Sequence, residues 1–155
     1  MKPPDLKTAV LLAALVFIGH TAFMPNFIVG HRDAGDEPEY MLMAKSIWQD
    51  GDIDLANNVQ PVVRDSYCQR PKVRYSGLCD NGRMLPIHNI GLPLILSPVA
   101  AAGGLNGACV FMLFIGALLA GNMFLLIRRF DVETNAAFAL TLIICFTPPV
   151  GTYSF

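Results

Sequence analysis

Charge is what this sequence has least of. Of its 155 residues only 15% are Asp, Glu, Lys or Arg, while 54% are hydrophobic. A soluble domain carries about a quarter charged residues. The formal net charge is −1, and no basic tract interleaved with aromatics occurs. The electrostatic footprint of a nucleic-acid binder is therefore missing. Four cysteines are present, none in the C-x-x-C spacing of a zinc site. No internal repeat or low-complexity segment is visible. The few charges are also segregated: most lie between His31 and Arg83, and the flanking segments are nearly uncharged. Segregation of this kind distinguishes a membrane protein from an unusually apolar globular one.

Three apolar runs follow from that pattern, at residues 9–29, 105–127 and 136–155. Roughly 20 helical residues cross a hydrocarbon core about 30 Å thick. The expected fold is therefore an all-α integral membrane protein with three transmembrane helices. A cleaved signal peptide is the competing reading of the first run, since Lys2 and Lys7 resemble its basic start. The run is long for that role, and no A-x-A cleavage site precedes the charged stretch. Lysines flank the first run, and Arg128 and Arg129 follow the second, so the positive-inside tendency puts residues 1–8 and the 128–135 turn in the cytoplasm. Residues 30–104 then form one extracytoplasmic (periplasmic) loop of a multi-pass protein in the cell (inner) membrane. Within that loop, the run 91–102 carries Pro93 and Pro98 and is too short to cross. It is expected as a re-entrant juxtamembrane helix; were it to cross, the orientation of everything after it would invert.

The loop opens Gly30-His31-Arg32-Asp33-Ala34-Gly35-Asp36-Glu37-Pro38-Glu39-Tyr40. Tyr40, Met43, Ala44, Ile47 and Trp48 then recur at helical spacing, and Asp50-Gly51-Asp52 supplies a stop. An amphipathic helix is expected over 36–49. Asp36, followed by a proline and by Glu39, reads as an N-cap with its capping-box partner. A capping carboxylate keeps one oxygen, so catalysis and capping are compatible. Asp33, Asp36 and Glu37 together put acidic groups at the outer end of a span, where a carboxylate can take a proton or hold a divalent cation. His20 and Asn26, inside the first run, read as packing positions facing other helices. Cys109 and Cys145 read as small apolar residues.

Two stretches carry a family resemblance. Asp36-Glu37-Pro38-Glu39-Tyr40, with Ala44-Lys45-Ser46 and Asp50-Gly51-Asp52, resembles the first outer loop of GT-C membrane glycosyltransferases of the protein mannosyltransferase and aminoarabinose transferase type. His88-Asn89-Ile90-Gly91-Leu92-Pro93-Leu94 resembles the point where that loop re-enters the membrane. The resemblance covers most of this chain but only the N-terminal part of such an enzyme. It implies transfer of a sugar from a polyprenyl-phosphate-linked donor to a hydroxyl on a glycan, lipid or protein acceptor. Asp36 would be the general base, with Glu37 assisting it or binding Mg or Mn. A basic group near the departing phosphate is also needed, and Arg64, Arg70, Lys72, Arg74, Arg83 and His88 are the candidates. The bland alternatives are a solvated surface loop for the arginines and lysine, and an interfacial hydrogen-bonding role for His88.

Cys68 and Cys79 both fall in the outer loop. In an oxidising compartment they can close a disulfide around a loop of about a dozen residues, stabilising by roughly 3 kcal/mol. Two non-enzymatic readings stand beside the transferase: a membrane subunit or degenerate relative in cell-envelope assembly, and a component of a lipid transporter. A transporter calls for ionisable residues deep in its spans, and these runs hold essentially none. Three spans are too few to enclose both donor and acceptor, so the chain is expected to be a fragment or a truncated product, inactive alone.

Overall fold

The structure, a computed structural model, describes residues 5–31, 37–59, 79–80 and 82–147, with side chains for 5–22, 38–59 and 82–147. It is mostly helical. In order come α1 (Leu6–His31), α2 (Glu37–Gln49), a 3-10 turn (Leu55–Asn57), strands β1 (Cys79–Asp80) and β2 (Arg83–Met84), α3 (Gly91–Arg128) and α4 (Thr134–Phe146). They group into two compact units, Met1–Arg32 with Cys109–Phe155, and Asp33–Ala108.

In the first unit each helix contributes one stripe to the core. Ala9, Leu12 and Val16 come from α1, Ala120 and Phe124 from α3, and Ala137 and Cys145 from α4. Spacings of three and four residues keep such positions on one helix face. Small residues let the backbones approach: a Cβ added to Gly121 would lie 3.3 Å from the Ala9 carbonyl oxygen and 3.6 Å from the Ala13 Cβ. Ala9-x-x-x-Ala13 of α1 thus meets Gly121 of α3, the kind of small-residue contact favoured between helices in lipid. The outer faces are apolar as well, with Val10 and Ile18 on α1, Phe114 and Leu118 on α3 and Ile143 on α4 all exposed. A helix that is apolar all round needs either more protein or lipid around it.

Polar groups in these helices turn inward to the backbone. The Thr21, Thr141 and Thr147 hydroxyls donate to the carbonyls of Phe17, Ala137 and Ile143, each four residues back. His20, placed by its sequence context as a packing residue, is 2% exposed. Its Nε2 lies 3.2 Å from the Cys145 carbonyl oxygen, and its ring centroid lies 4.8 Å from that of Phe146. The Asn26 side chain lies outside the described residues. Cys109 and Cys145 are buried. After α3 the chain turns through Arg129–Asp131, where the Arg128 guanidinium donates to the Val132 carbonyl and Asp131 takes φ 58°.

Among the described residues, α3 is the one helix long and apolar enough to cross a membrane. It is not straight. Gly104 has φ 58° and ψ −146°, a conformation essentially reserved for glycine. The break separates 91–103 from 105–128. A straight rod of 38 residues would be about 57 Å long, nearly twice the hydrocarbon core, whereas 105–128 alone spans roughly 36 Å. Just beyond the break, a Cβ on Gly107 would sit 2.8 Å from the carbonyl oxygen of Val99, so the chain folds back tightly. Pro98 removes the N–H that would bond the Leu94 carbonyl; the buried Ser97 hydroxyl donates to that carbonyl instead, at 3.1 Å. α1 extends beyond the expected 9–29 at both ends, and α4 covers the first part of the expected 136–155 run. Residues 148–155 lie outside the described residues.

Candidate functional site

The second unit holds the chemistry-bearing residues, and α2 is its organiser. The expected stripe is only partly right. Met43 and Ala44 are buried, whereas Trp48 is 59% exposed. Ser46, a polar residue off the stripe, is fully buried. Its hydroxyl is 3.0 Å from the Asp52 carboxylate and 3.3 Å from the Asp54 carbonyl oxygen, which satisfies it inside. Met43 packs with Leu55 and Met84 in a small core, flanked by Tyr40, Leu42, Ala56 and Val59.

The acidic residues that close α2 are spent on folding the loop. Asp52 Oδ1 accepts the Asp54 N–H at 3.0 Å, and Asp50 accepts from the Asn58 side chain at 2.9 Å. Asp54 Oδ1 accepts two backbone N–H groups, from Ala56 at 3.0 Å and Met84 at 2.9 Å. The second bond ties the 3-10 turn to β2 across thirty positions of sequence. The Met84 N–H above all, helped by the Ala56 N–H and the Arg83 charge, holds the Asp54 carboxyl below its usual range, with desolvation second in size and opposing them. Arg83, a candidate phosphate contact, therefore stands on β2 with its charge acting on Asp54. β1 and β2 pair antiparallel with Cys79 opposite Met84 and Asp80 opposite Arg83. This hairpin was not expected, although the Asn81-Gly82 dipeptide between its strands is the usual signal for one.

The start of α2 meets the start of α3 through Glu39. One carboxylate oxygen, Oε1, accepts the Ile87 N–H at 3.2 Å. The other, Oε2, lies 3.5 Å from His88 Nε2. The His88 ring rests on Tyr40, with centroids 5.2 Å apart. Glu39, read from the sequence as the capping-box partner of Asp36, has its two oxygens facing residues 87 and 88, while Asp36 lies outside the described residues. The imidazole is thereby held between a phenol and a carboxylate. Nothing in local periodicity points to this contact, since its partners lie 48 residues apart.

Most of the other expected site residues cannot be placed beside it. Asp33, Asp36, Arg64, Cys68, Arg70, Lys72 and Arg74 lie outside the described residues, as do the side chains of Glu37 and Cys79. Glu37 is the first residue of α2, so the acidic pair immediately adjoins the Glu39–His88 contact in sequence. Among the described residues no three His, Cys, Asp or Glu side chains come together as metal ligands. The chain matches no family model, no characterised protein and no solved structure.

Proposed function

We propose that the chain is the N-terminal part of a membrane glycosyltransferase, moving a sugar from a polyprenyl-phosphate donor to an acceptor hydroxyl on the outer side of the membrane. One observation carries the reading: Glu39 joins the segment that follows Asp36-Glu37 to the segment that opens His88-Asn89-Ile90-Gly91. These are the two stretches on which the family resemblance rests, and a bond between them makes one locus of both. Placement in the membrane is supported by the apolar outer faces of α1, α3 and α4, by the small-residue contact at Gly121, and by the Ser97 hydroxyl on the carbonyl freed by Pro98. In this reading residues 30–104 lie outside, 105–127 is one of three spans, and 91–102 lies along the membrane.

The sugar phosphate is already activated at its anomeric carbon. Asp36 takes the acceptor proton as the hydroxyl attacks, and the phosphate departs with the electron pair of the broken bond. Glu39 and His88 hold the first turn of α2, which follows Asp36-Glu37 in the sequence.

Asp36→Asn is the deciding variant, because asparagine still caps a helix but cannot accept the proton. Expressed from its complete reading frame in membranes supplied with a labelled polyprenyl-phosphate sugar, the variant should insert normally and lose about 10²–10⁴-fold in transfer rate. Transfer surviving within a few-fold would return Asp36 to a capping role and favour a non-catalytic envelope subunit.

A further inference from the structure

A groove of about 540 Å³ runs between α2 and the 91–103 part of α3, on the side of α2 away from its buried residues. Pockets of this size commonly take small-molecule ligands. Met41 and Leu42 form one wall, Ala100 and Ala101 the other, and Lys45 and Trp48 stand along α2 at its edge. Positions 41, 45 and 48 fall on one helix face. Among the described residues, Lys45 is the one charged residue lining the groove, and it forms no ion pair. Trp48 leaves 59% of its surface exposed. A soluble anion would need several converging donors and gains nothing from apolar walls. An amphiphile with one anionic head suits both features: the lysine takes the head, the apolar walls take the chain, and indole and lysine are side chains that settle at the water–lipid boundary.

We infer that this groove binds the anionic headgroup and upper acyl chain of a bilayer glycerophospholipid, with Lys45 as the headgroup contact and Trp48 beside the chain. The inference rests on the membrane half of the proposed function and is independent of sugar transfer. It gives Lys45 a ligand-binding role rather than that of a solvated charge on a helix surface.

Trp48 is the only tryptophan of the chain, so its fluorescence reports on this groove alone. The full chain is reconstituted in phosphatidylcholine vesicles containing a small fraction of chain-brominated lipid, either phosphatidylglycerol or phosphatidylcholine. Brominated phosphatidylglycerol should quench Trp48 about fivefold more effectively, the discrimination one lysine gives at an anionic surface. Lys45→Gln should abolish the preference and leave quenching by brominated phosphatidylcholine unchanged, while Lys45→Arg should restore it. Equal quenching by the two lipids, or a preference that survives Lys45→Gln, overturns the headgroup site but leaves the membrane placement standing. No quenching by either lipid overturns both. Loss of quenching on adding inorganic phosphate at matched ionic strength would make the groove a soluble-anion site and also overturns the inference.

Discussion

The two units of this chain solve the same problem in opposite ways. Around α1, α4 and residues 109–128 of α3, polar side chains bond within a helix or, like His20, to a neighbouring helix backbone, and the outer faces are apolar. Between residues 37 and 90, polar side chains bond across the chain, as when Asp54 reaches Met84 and Glu39 reaches Ile87. The first pattern needs no water to satisfy it, and the second builds irregular loops that water can finish solvating. Cohesion in one unit comes from close backbone approach; in the other it comes from a few acceptors placed at the right turns.

If that contrast is right, damage should follow different rules on the two sides. The largest effect is expected at Gly121. Replacing it by leucine forces a branched side chain into space bounded by the Ala9 carbonyl at 3.3 Å. It should cost about 3 kcal/mol or more, in the range of severe overpacking, read as a lower denaturation midpoint in detergent. A variant as stable as the parent would show that α1 and α3 do not pack through small residues.

In the other unit, Asp54→Ala removes the acceptor of two backbone N–H groups and should cost about 1–2 kcal/mol. Its effect should depend on pH. The folded carboxyl is held below its usual value, so its stabilising contribution is complete above the unfolded value of about 4 and is lost as pH falls through the lower folded one. Hydrogen-exchange protection factors at Met84 and Ala56 should therefore be constant near neutrality and decline below about pH 4. Protection that stays flat to pH 2 would remove Asp54 from its role. The smallest effect sharpens the comparison at a site between α3 and α4: Asp131 holds φ 58°, and Asp131→Gly should stabilise by about 0.5–1 kcal/mol, seen as a small rise in melting temperature.

Much of the element layout could be read from the residues, because long uncharged runs and the Asp50-Gly51-Asp52 stop mark helices directly. The pair Gly103-Gly104 likewise marks the place where α3 changes direction. What stayed hidden depends on tertiary partners. Ser46 lies inside because Asp52 is there to accept its hydrogen bond, and Trp48 lies outside because α2 buries positions 43 and 46 instead. Glu39 looked like a local capping residue, and only the folded chain brings it to His88. The hairpin at 79–84 did leave a mark in Asn81-Gly82, but two two-residue strands give no alternation to reinforce it. Of the candidate site, Asp36-Glu37 rests on the sequence alone, while the contact of Glu39 with His88 was not legible there.

Glycine usually suggests a joint that moves. At the break in α3 the reverse holds. Gly104 occupies a backbone conformation closed to other residues, and Gly107 has the Val99 carbonyl against it with no room for even a methyl group. Each glycine is held by its own surroundings: a single methyl at position 104 would meet a forbidden backbone conformation, and one at position 107 would meet the Val99 carbonyl.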